Sequence, residues 1–103
     1  MSKHTVLVID DELGPRESLR FVLKNEFNVV LADSVDEGIK LLKDVRPECV
    51  VIDIRMPGKT GIEGLREIRD IDQQVSVIML TGFGALETAQ EALRLGANDY
   101  LKK

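Results

Sequence analysis

Short runs of apolar, β-branched residues recur at nearly even intervals along the chain. The runs begin near Thr5, Asn28, Cys49, Val75 and Asn98, so successive runs start 21 to 26 residues apart. The first, third and fourth runs are almost continuously apolar, which is typical of strands that are covered on both faces. The pattern therefore predicts five strands, of which the last has the weakest signal.

The segments between these runs have the periodicity of amphipathic helices. In the first segment, four apolar residues recur at helical spacing and are predicted to share the buried face of a helix. These residues are Leu19, Val22, Leu23 and Phe27. The second segment opens with Ser34 and Glu37 in the S-x-x-E capping pattern, and the fourth is followed by Gly96, which suits a helix C-terminus. Four helices are therefore predicted, one after each of the first four strands.

Strands that alternate with helices at this spacing form parallel βαβ units. We therefore expect one α/β domain over residues 1–103, with a parallel sheet between two helical layers. A fifth helix after the last strand would need about 12–20 further residues, so the predicted three-layer sandwich lacks it. Part of one sheet face would then stay uncovered, either because the chain is shortened or because a partner chain completes the fold.

Composition and charge narrow the range of partners. The 103 residues carry 14 Lys and Arg against 18 Asp and Glu, a formal net charge of −4. This balance provides no excess of positive charge that would attract nucleic acid. No apolar run approaches the ~20 residues of a membrane span. The single cysteine, Cys49, excludes an internal disulfide and favours a reducing cytoplasm. Its apolar neighbours predict an unreactive core thiol.

Polar side chains follow the predicted strands at their carboxyl ends. They are Asp10 and Asp11 after the first strand, Asp33 after the second, Asp53 at the end of the third, Thr81 after the fourth and Lys103 after the fifth. Open parallel sheets bind their ligands beyond this edge. We therefore expect the functional site there.

Asp10, Asp11 and Asp53 are the strongest evidence for a functional site at this edge. Carboxylates that converge there would repel one another by about 4 kcal/mol per pair, at ~4 Å and an effective dielectric near 20. Such a cluster persists if a cation binds or if one member stays protonated, and hard oxygen ligands favour magnesium. Helix capping by Asp11 and Glu12 is the alternative explanation, but capping does not explain Asp53, which precedes a loop.

The loop after the third strand contains Pro57-Gly58, which predicts a type II turn. Such a turn would hold the preceding carboxylate at the rim and expose backbone carbonyls to a metal. The Thr81 hydroxyl and the Lys103 ammonium are groups that bind phosphoryl oxygens. A nucleotide cofactor and a catalytic triad are not expected, because no Gly-rich loop follows the first strand and the only histidine, His4, precedes it.

Four motifs occur together and in order. They are Val8-Ile9-Asp10-Asp11-Glu12, Val51-Ile52-Asp53-Ile54-Arg55-Met56-Pro57 with Gly61, Leu80-Thr81-Gly82, and Gly96-Ala97-Asn98-Asp99-Tyr100-Leu101-Lys102-Lys103. Because these motifs occur within the predicted pattern of five strands, the whole chain resembles the receiver domain of two-component response regulators, without that family's last helix. The resemblance implies a flavodoxin-like, doubly wound open parallel sheet of five strands in the order 2-1-3-4-5.

The resemblance also implies a chemistry for the acids. Asp53 would be the phosphoacceptor, taking a phosphoryl group from a phosphohistidine on a sensor kinase or a phosphotransfer protein. Asp11, Asp53 and the backbone carbonyl of Arg55 would hold Mg²⁺ directly, and Asp10 would assist through a water molecule.

The same resemblance implies a switch. Thr81 and Lys103 would bind the phosphoryl oxygens, and Tyr100 would swing inward as Thr81 moves. The change would alter a partner-binding surface around strands 4 and 5 and helix 4, and so control an output such as transcription. A loose likeness of residues 61–69 and 84–100 suggests an AAA+ transcription activator as the downstream domain.

Other functions stay open at this point. A magnesium-dependent phosphatase or phosphotransferase also uses a strand-end Asp nucleophile, but it commonly needs an acid or base two residues on, where this chain has Arg55. A constitutive interaction domain would carry the motifs without being phosphorylated. The resemblance favours a phosphoacceptor over a turnover enzyme. Because Arg55 and Phe83 could not align a hydrolytic water, we expect slow self-dephosphorylation.

Overall fold

The computed structural model describes residues 3–82 and 86–102. Over these ranges, strands and helices alternate strictly, as predicted. The strands are β1 (Thr5–Ile9), β2 (Asn28–Ala32), β3 (Cys49–Asp53), β4 (Ser76–Thr81) and β5 (Asp99–Lys102). The helices are α1 (Leu13–Leu23), α2 (Val35–Val45), α3 (Gly61–Ile71) and α4 (Leu86–Arg94).

The five strands form one parallel sheet in the order β2-β1-β3-β4-β5. This confirms the flavodoxin-like, doubly wound topology. Strand order reverses at β1, which lies between β2 and β3, and ligands of such sheets bind beside that reversal. In the register, Ile9 of β1 lies beside Ile52 of β3, and Asp53 lies beside Leu80 of β4.

Side chains alternate between the two faces of the sheet. Leu7 and Ile9 belong to the larger apolar cluster, which joins the sheet to α2, α3 and α4. Val6 and Val8 belong to the smaller cluster, which α1 covers. Both clusters draw on β1 and β3, so these strands are buried on both faces, as their continuous apolar runs predict.

The predicted buried face of α1 is wrong at one position. Leu19 and Leu23 pack on the smaller cluster, and so does Phe27, which lies just beyond the helix. Val22 is instead 72% exposed. At 3.6 residues per turn, Leu19 and Leu23 are about 40° apart, whereas Val22 lies roughly 60° outside that pair. The sheet contacts a narrower face of α1 than the apolar periodicity suggests.

Helix ends agree with the local signals. The Ser34 hydroxyl accepts a hydrogen bond from the Glu37 amide at 3.2 Å, so the predicted cap of α2 forms. Gly96 follows α4 with a φ of 111°, which suits glycine. Cys49 is half-buried, and burial raises the pKa of its thiol, in line with an unreactive cysteine. Among the described residues, no helix is both long and apolar enough to span a membrane.

Candidate functional site

Four carboxylates gather at the carboxyl ends of β1 and β3. Side-chain oxygens of Asp10, Asp11, Glu12 and Asp53 all lie within 4.8 Å of one another. Asp10 and Asp53 are almost completely buried, Asp11 is partly exposed and Glu12 is exposed. The structure therefore brings together the three acids that the sequence singles out and adds a fourth.

The backbone around Asp10 explains its fixed position. Its amide donates to the carbonyl of Ala32 at 3.0 Å, which continues the hydrogen bonding between β1 and β2. Its Oδ1 accepts from the Glu12 amide at 3.0 Å, and its carbonyl accepts from Nη1 of Arg16 at 2.8 Å. Asp10 is thus held by local hydrogen bonds of the kind that short acidic side chains make at turns.

The capping alternative gains no support from Glu12. This residue occupies the N-cap position of α1, but among the described residues its side chain makes no capping hydrogen bond. The carboxylate lies in the acidic cluster instead. Glu12 was predicted from the sequence as a helix cap and not as a member of the cluster, although its place directly after Asp10 and Asp11 is a signal that could have identified it.

Asp53 is positioned by close contact between β3 and α3. The Gly61 amide donates to the carbonyl of Ile54 at 2.8 Å, and the Ile54 amide donates to the carbonyl of Leu80 at 3.0 Å. The amide of Arg55 approaches Oδ1 of Asp53 at 3.4 Å. Gly58 has a φ of 77°, which the predicted type II turn requires of its third residue. The turn therefore spans residues 56–59 and begins three residues beyond Asp53.

Thr81 lies at the end of β4 and is 3% exposed. Its hydroxyl is 3.4 Å from the carbonyl oxygen of Leu101 in β5, a long hydrogen bond that leaves it weakly held. Tyr100 is half-buried against the larger apolar cluster and lies beside Met79 in the register. Lys103 and Phe83 lie outside the described residues.

The donor set fits a hard divalent cation. If all four carboxylates are ionised, each pair, lying within 4.8 Å, repels by at least about 3 kcal/mol at an effective dielectric near 20. A magnesium ion, which prefers carboxylate and carbonyl oxygens, would relieve that repulsion. Asp10, Asp11 and Asp53 provide carboxylate oxygens, and the loop after Asp53 exposes Arg55, whose carbonyl is a further oxygen donor.

Comparison with known proteins identifies the class. The family model of the response regulator receiver domain matches residues 6–103. The chain therefore belongs to the receiver domain family of two-component response regulators.

Individual relatives agree with this assignment. The chain is 38% identical to the transcriptional regulatory protein FixJ of Rhizobium meliloti (strain 1021), over 100% of this chain and 51% of that protein. It is 39% identical to the regulatory protein AtoC of Escherichia coli (strain K12), over 95% of this chain and 22% of that protein. The chain thus spans about half of the first relative and less than a quarter of the second.

The fold agrees with solved structures as well. The crystal structure of a response regulator receiver domain protein from Clostridium thermocellum matches with a TM-score of 0.92 and 36% identity, covering 97% of this chain and 82% of that one. Receiver domains are signalling switches that bind Mg²⁺ at an acidic pocket and interact with histidine kinases or phosphotransfer proteins. The acidic cluster lies where such a pocket belongs in this fold.

Proposed function

We propose that Asp53 is the phosphoacceptor of a magnesium-dependent transfer from a phosphohistidine. One observation carries the proposal, namely that the Asp53 carboxylate lies within 4.8 Å of those of Asp10 and Asp11 at the carboxyl edge of the sheet. Such a cluster can hold a metal against the oxygen that attacks. Asp11, Asp53 and the Arg55 carbonyl would bind the ion, with Asp10 acting through water.

The transfer forms one bond and breaks one. A carboxylate oxygen of Asp53 attacks phosphorus, the bond between phosphorus and the imidazole nitrogen breaks, and that nitrogen leaves with the electron pair. The product is an acyl phosphate on Asp53. Magnesium, when bound, would neutralise the negative charge that develops on the phosphoryl oxygens. Burial of Asp53 restricts the orientation of its attacking oxygen.

Thr81 connects this chemistry to the surface. Among the described residues, its hydroxyl makes one hydrogen bond, the long one to the Leu101 carbonyl, so it can exchange that partner for a phosphoryl oxygen at small cost. The displacement would release space for Tyr100 to move inward, and Lys103 would provide a cation for the phosphoryl group. The surface formed by β4, β5 and α4 would change and be read by a partner.

The proposal extends to the partners. The donor would be a sensor histidine kinase or a phosphotransfer protein in the cytoplasm, and the output would be a response such as transcription. A domain of the AAA+ activator type is one expected effector. With a net charge of −4, this chain itself is not expected to bind nucleic acid.

Phosphorylation with a small donor tests the proposal directly. Incubation with acetyl phosphate and Mg²⁺ should add one phosphoryl group per chain, detected by intact-mass spectrometry and located at Asp53 by peptide mapping after borohydride trapping. Asp53→Asn should abolish the label, and chelation of Mg²⁺ should prevent it. Asp33→Asn, which changes an acid after β2 outside the cluster, is the matched control and should label normally. Labelling at another residue, or repeated turnover of a phosphate ester, would refute the assignment.

A further inference from the structure

Lys59 connects the loop after Asp53 to two helices. Its Nζ lies 2.8 Å from Oδ1 of Asp36, in the first turn of α2. The same atom lies 3.2 Å from Oε2 of Glu67, in α3. Hydrogen bonds to Asp36 and then to Glu67 hold the pKa of Lys59 above its usual range. One ammonium thus bridges two helices from within the loop that separates β3 from α3.

The loop has few other attachments. In the described part of the chain, the backbone of residues 55–59 makes one hydrogen bond, from the Arg55 amide to Asp53 Oδ1 at 3.4 Å. Met56 is buried, but Arg55, Pro57 and Gly58 are exposed. Proline also has no amide proton to donate. The ion pairs of Lys59 and the burial of Met56 in the larger apolar cluster are therefore the main restraints that the described residues show on this segment.

We propose that Lys59 is a positioning residue for the metal site, which pins the loop between α2 and α3 so that the Arg55 carbonyl is held as a magnesium ligand. This inference rests on the proposed function, because that function assigns the carbonyl of Arg55 to the ion. Lys59 follows Arg55 by four residues, so restraint at Lys59 limits the freedom of the backbone that carries the ligand. A preorganised ligand costs less conformational entropy when the ion binds.

The direction in which magnesium affinity changes when the Lys59 ammonium is removed distinguishes a positioning role from a purely electrostatic one. Lys59 is a cation, and its field alone disfavours a divalent cation nearby. If only charge mattered, removal of the ammonium would tighten magnesium binding. If Lys59 positions the loop, its removal weakens magnesium binding. The two explanations therefore predict opposite changes in the dissociation constant.

The test compares wild type with Lys59→Met, which keeps a long side chain without the charge. Magnesium dissociation constants come from amide chemical-shift titrations. Hydrogen exchange in the loop is followed, in protein without added metal, through the Gly61 amide, which closes the loop by donating to the carbonyl of Ile54 at 2.8 Å. Lys59→Met should weaken magnesium binding about two- to fivefold, the range expected for exposed ion pairs, and should accelerate exchange in the loop. Lys59→Arg should restore both the magnesium dissociation constant and the exchange rate of wild type.

Lys43→Met is the matched control, because Lys43 is an exposed lysine of α2 without an ion pair among the described residues. Lys43→Met should leave the magnesium dissociation constant and the exchange rate in the loop unchanged. Magnesium binding by Lys59→Met as tight as wild type or tighter, or unchanged exchange in the loop, would overturn the proposed role. If wild type itself binds no magnesium, the proposed function fails as well, so the two failures are distinguishable.

Discussion

At the scale of single residues, the fold moves the pKa values of two exposed glutamates in opposite directions. Oε2 of Glu48 accepts a hydrogen bond from the Thr5 amide at 2.6 Å, and this bond is the main reason that the pKa of Glu48 is lowered. Glu37 shares a hydrogen bond with the Asp33 carboxyl, which is the main reason that its pKa is raised. The ordinary value for both is 4.5.

These shifts predict opposite effects of the same substitution. The Glu48 contribution to stability is present above pH 4.5 and is lost as pH falls through its lower folded pKa. The favourable contribution of Glu37 is present below pH 4.5 and is lost as pH rises through its higher folded pKa. Urea unfolding at neutral pH should therefore show Glu48→Gln less stable and Glu37→Gln more stable than wild type.

Both differences should shrink on acidification, but in different pH ranges. The Glu37 difference shrinks as pH falls from its raised folded pKa to below 4.5, and the Glu48 difference shrinks as pH falls from 4.5 to below its lowered folded pKa. Glu26→Gln, at an exposed position after α1, is the control for the loss of one negative charge and should change the free energy of unfolding by less than either test variant. Changes of the same sign in both test variants would contradict the expectation.

Single residues also show where sequence reasoning reaches its limit. The positions of Asp10, Asp11 and Asp53 follow from one rule, that carboxyl ends of parallel strands share an edge. The ion pairs of Lys59 follow from no such rule. They depend on how a loop lies between α2 and α3, and the partners are 23 residues before and 8 residues after it in the chain.

At the scale of elements, the first residue of α3 packs directly against the backbone at the carboxyl end of β3. A β-carbon at position 61 would overlap the carbonyl oxygen of Asp53 and lie 2.7 Å from Cα of Ile54. Because both neighbours are backbone atoms, α3 could not keep its place if a side chain were added. Glycine is therefore required by close packing rather than by its backbone angle.

Gly61→Ala should lower the free energy of unfolding by about 1–3 kcal/mol, the usual cost of overpacking, and should weaken magnesium binding because Asp53 is displaced. Gly14→Ala is the matched control in the first turn of α1, where an added β-carbon would meet nothing within 4 Å. The control should raise the unfolding free energy by up to about 1 kcal/mol. Urea denaturation and magnesium titration measure both effects, and equal changes in the two variants would exclude this explanation.

Periodicity predicted the elements because burial of apolar side chains dominates their formation. It could not predict contacts between elements that are distant in sequence. The guanidinium of Arg69 in α3 is the clearest case, since it connects the segment after its own helix with the segment before β5. It donates to the carbonyls of Asp72, Val75 and Gly96 and to Oδ1 of Asn98.

At the scale of the whole molecule, the proposed metal site would lower the stability of the metal-free protein. When ionised, the four carboxylates within 4.8 Å would repel one another in the folded protein, and the unfolded chain would relieve this by separating them. Both Asp10 and Asp53 are almost completely buried, so solvent screens their charges poorly. The free energy of unfolding should therefore depend on the ion that occupies the cluster.

Magnesium should stabilise the wild-type protein by about 1.4 kcal/mol for each tenfold rise in concentration above the dissociation constant, because the ion binds the folded state preferentially. Urea unfolding at increasing MgCl₂, with ionic strength held constant by NaCl, measures this slope. Asp11→Asn should be more stable than wild type without magnesium, since one repelling charge is gone, and should lose most of the slope. Asp33→Asn should keep the wild-type slope, because Asp33 lies outside the cluster. A wild-type stability that is indifferent to magnesium, or a full slope in Asp11→Asn, would show that the cluster does not bind the ion in the folded protein.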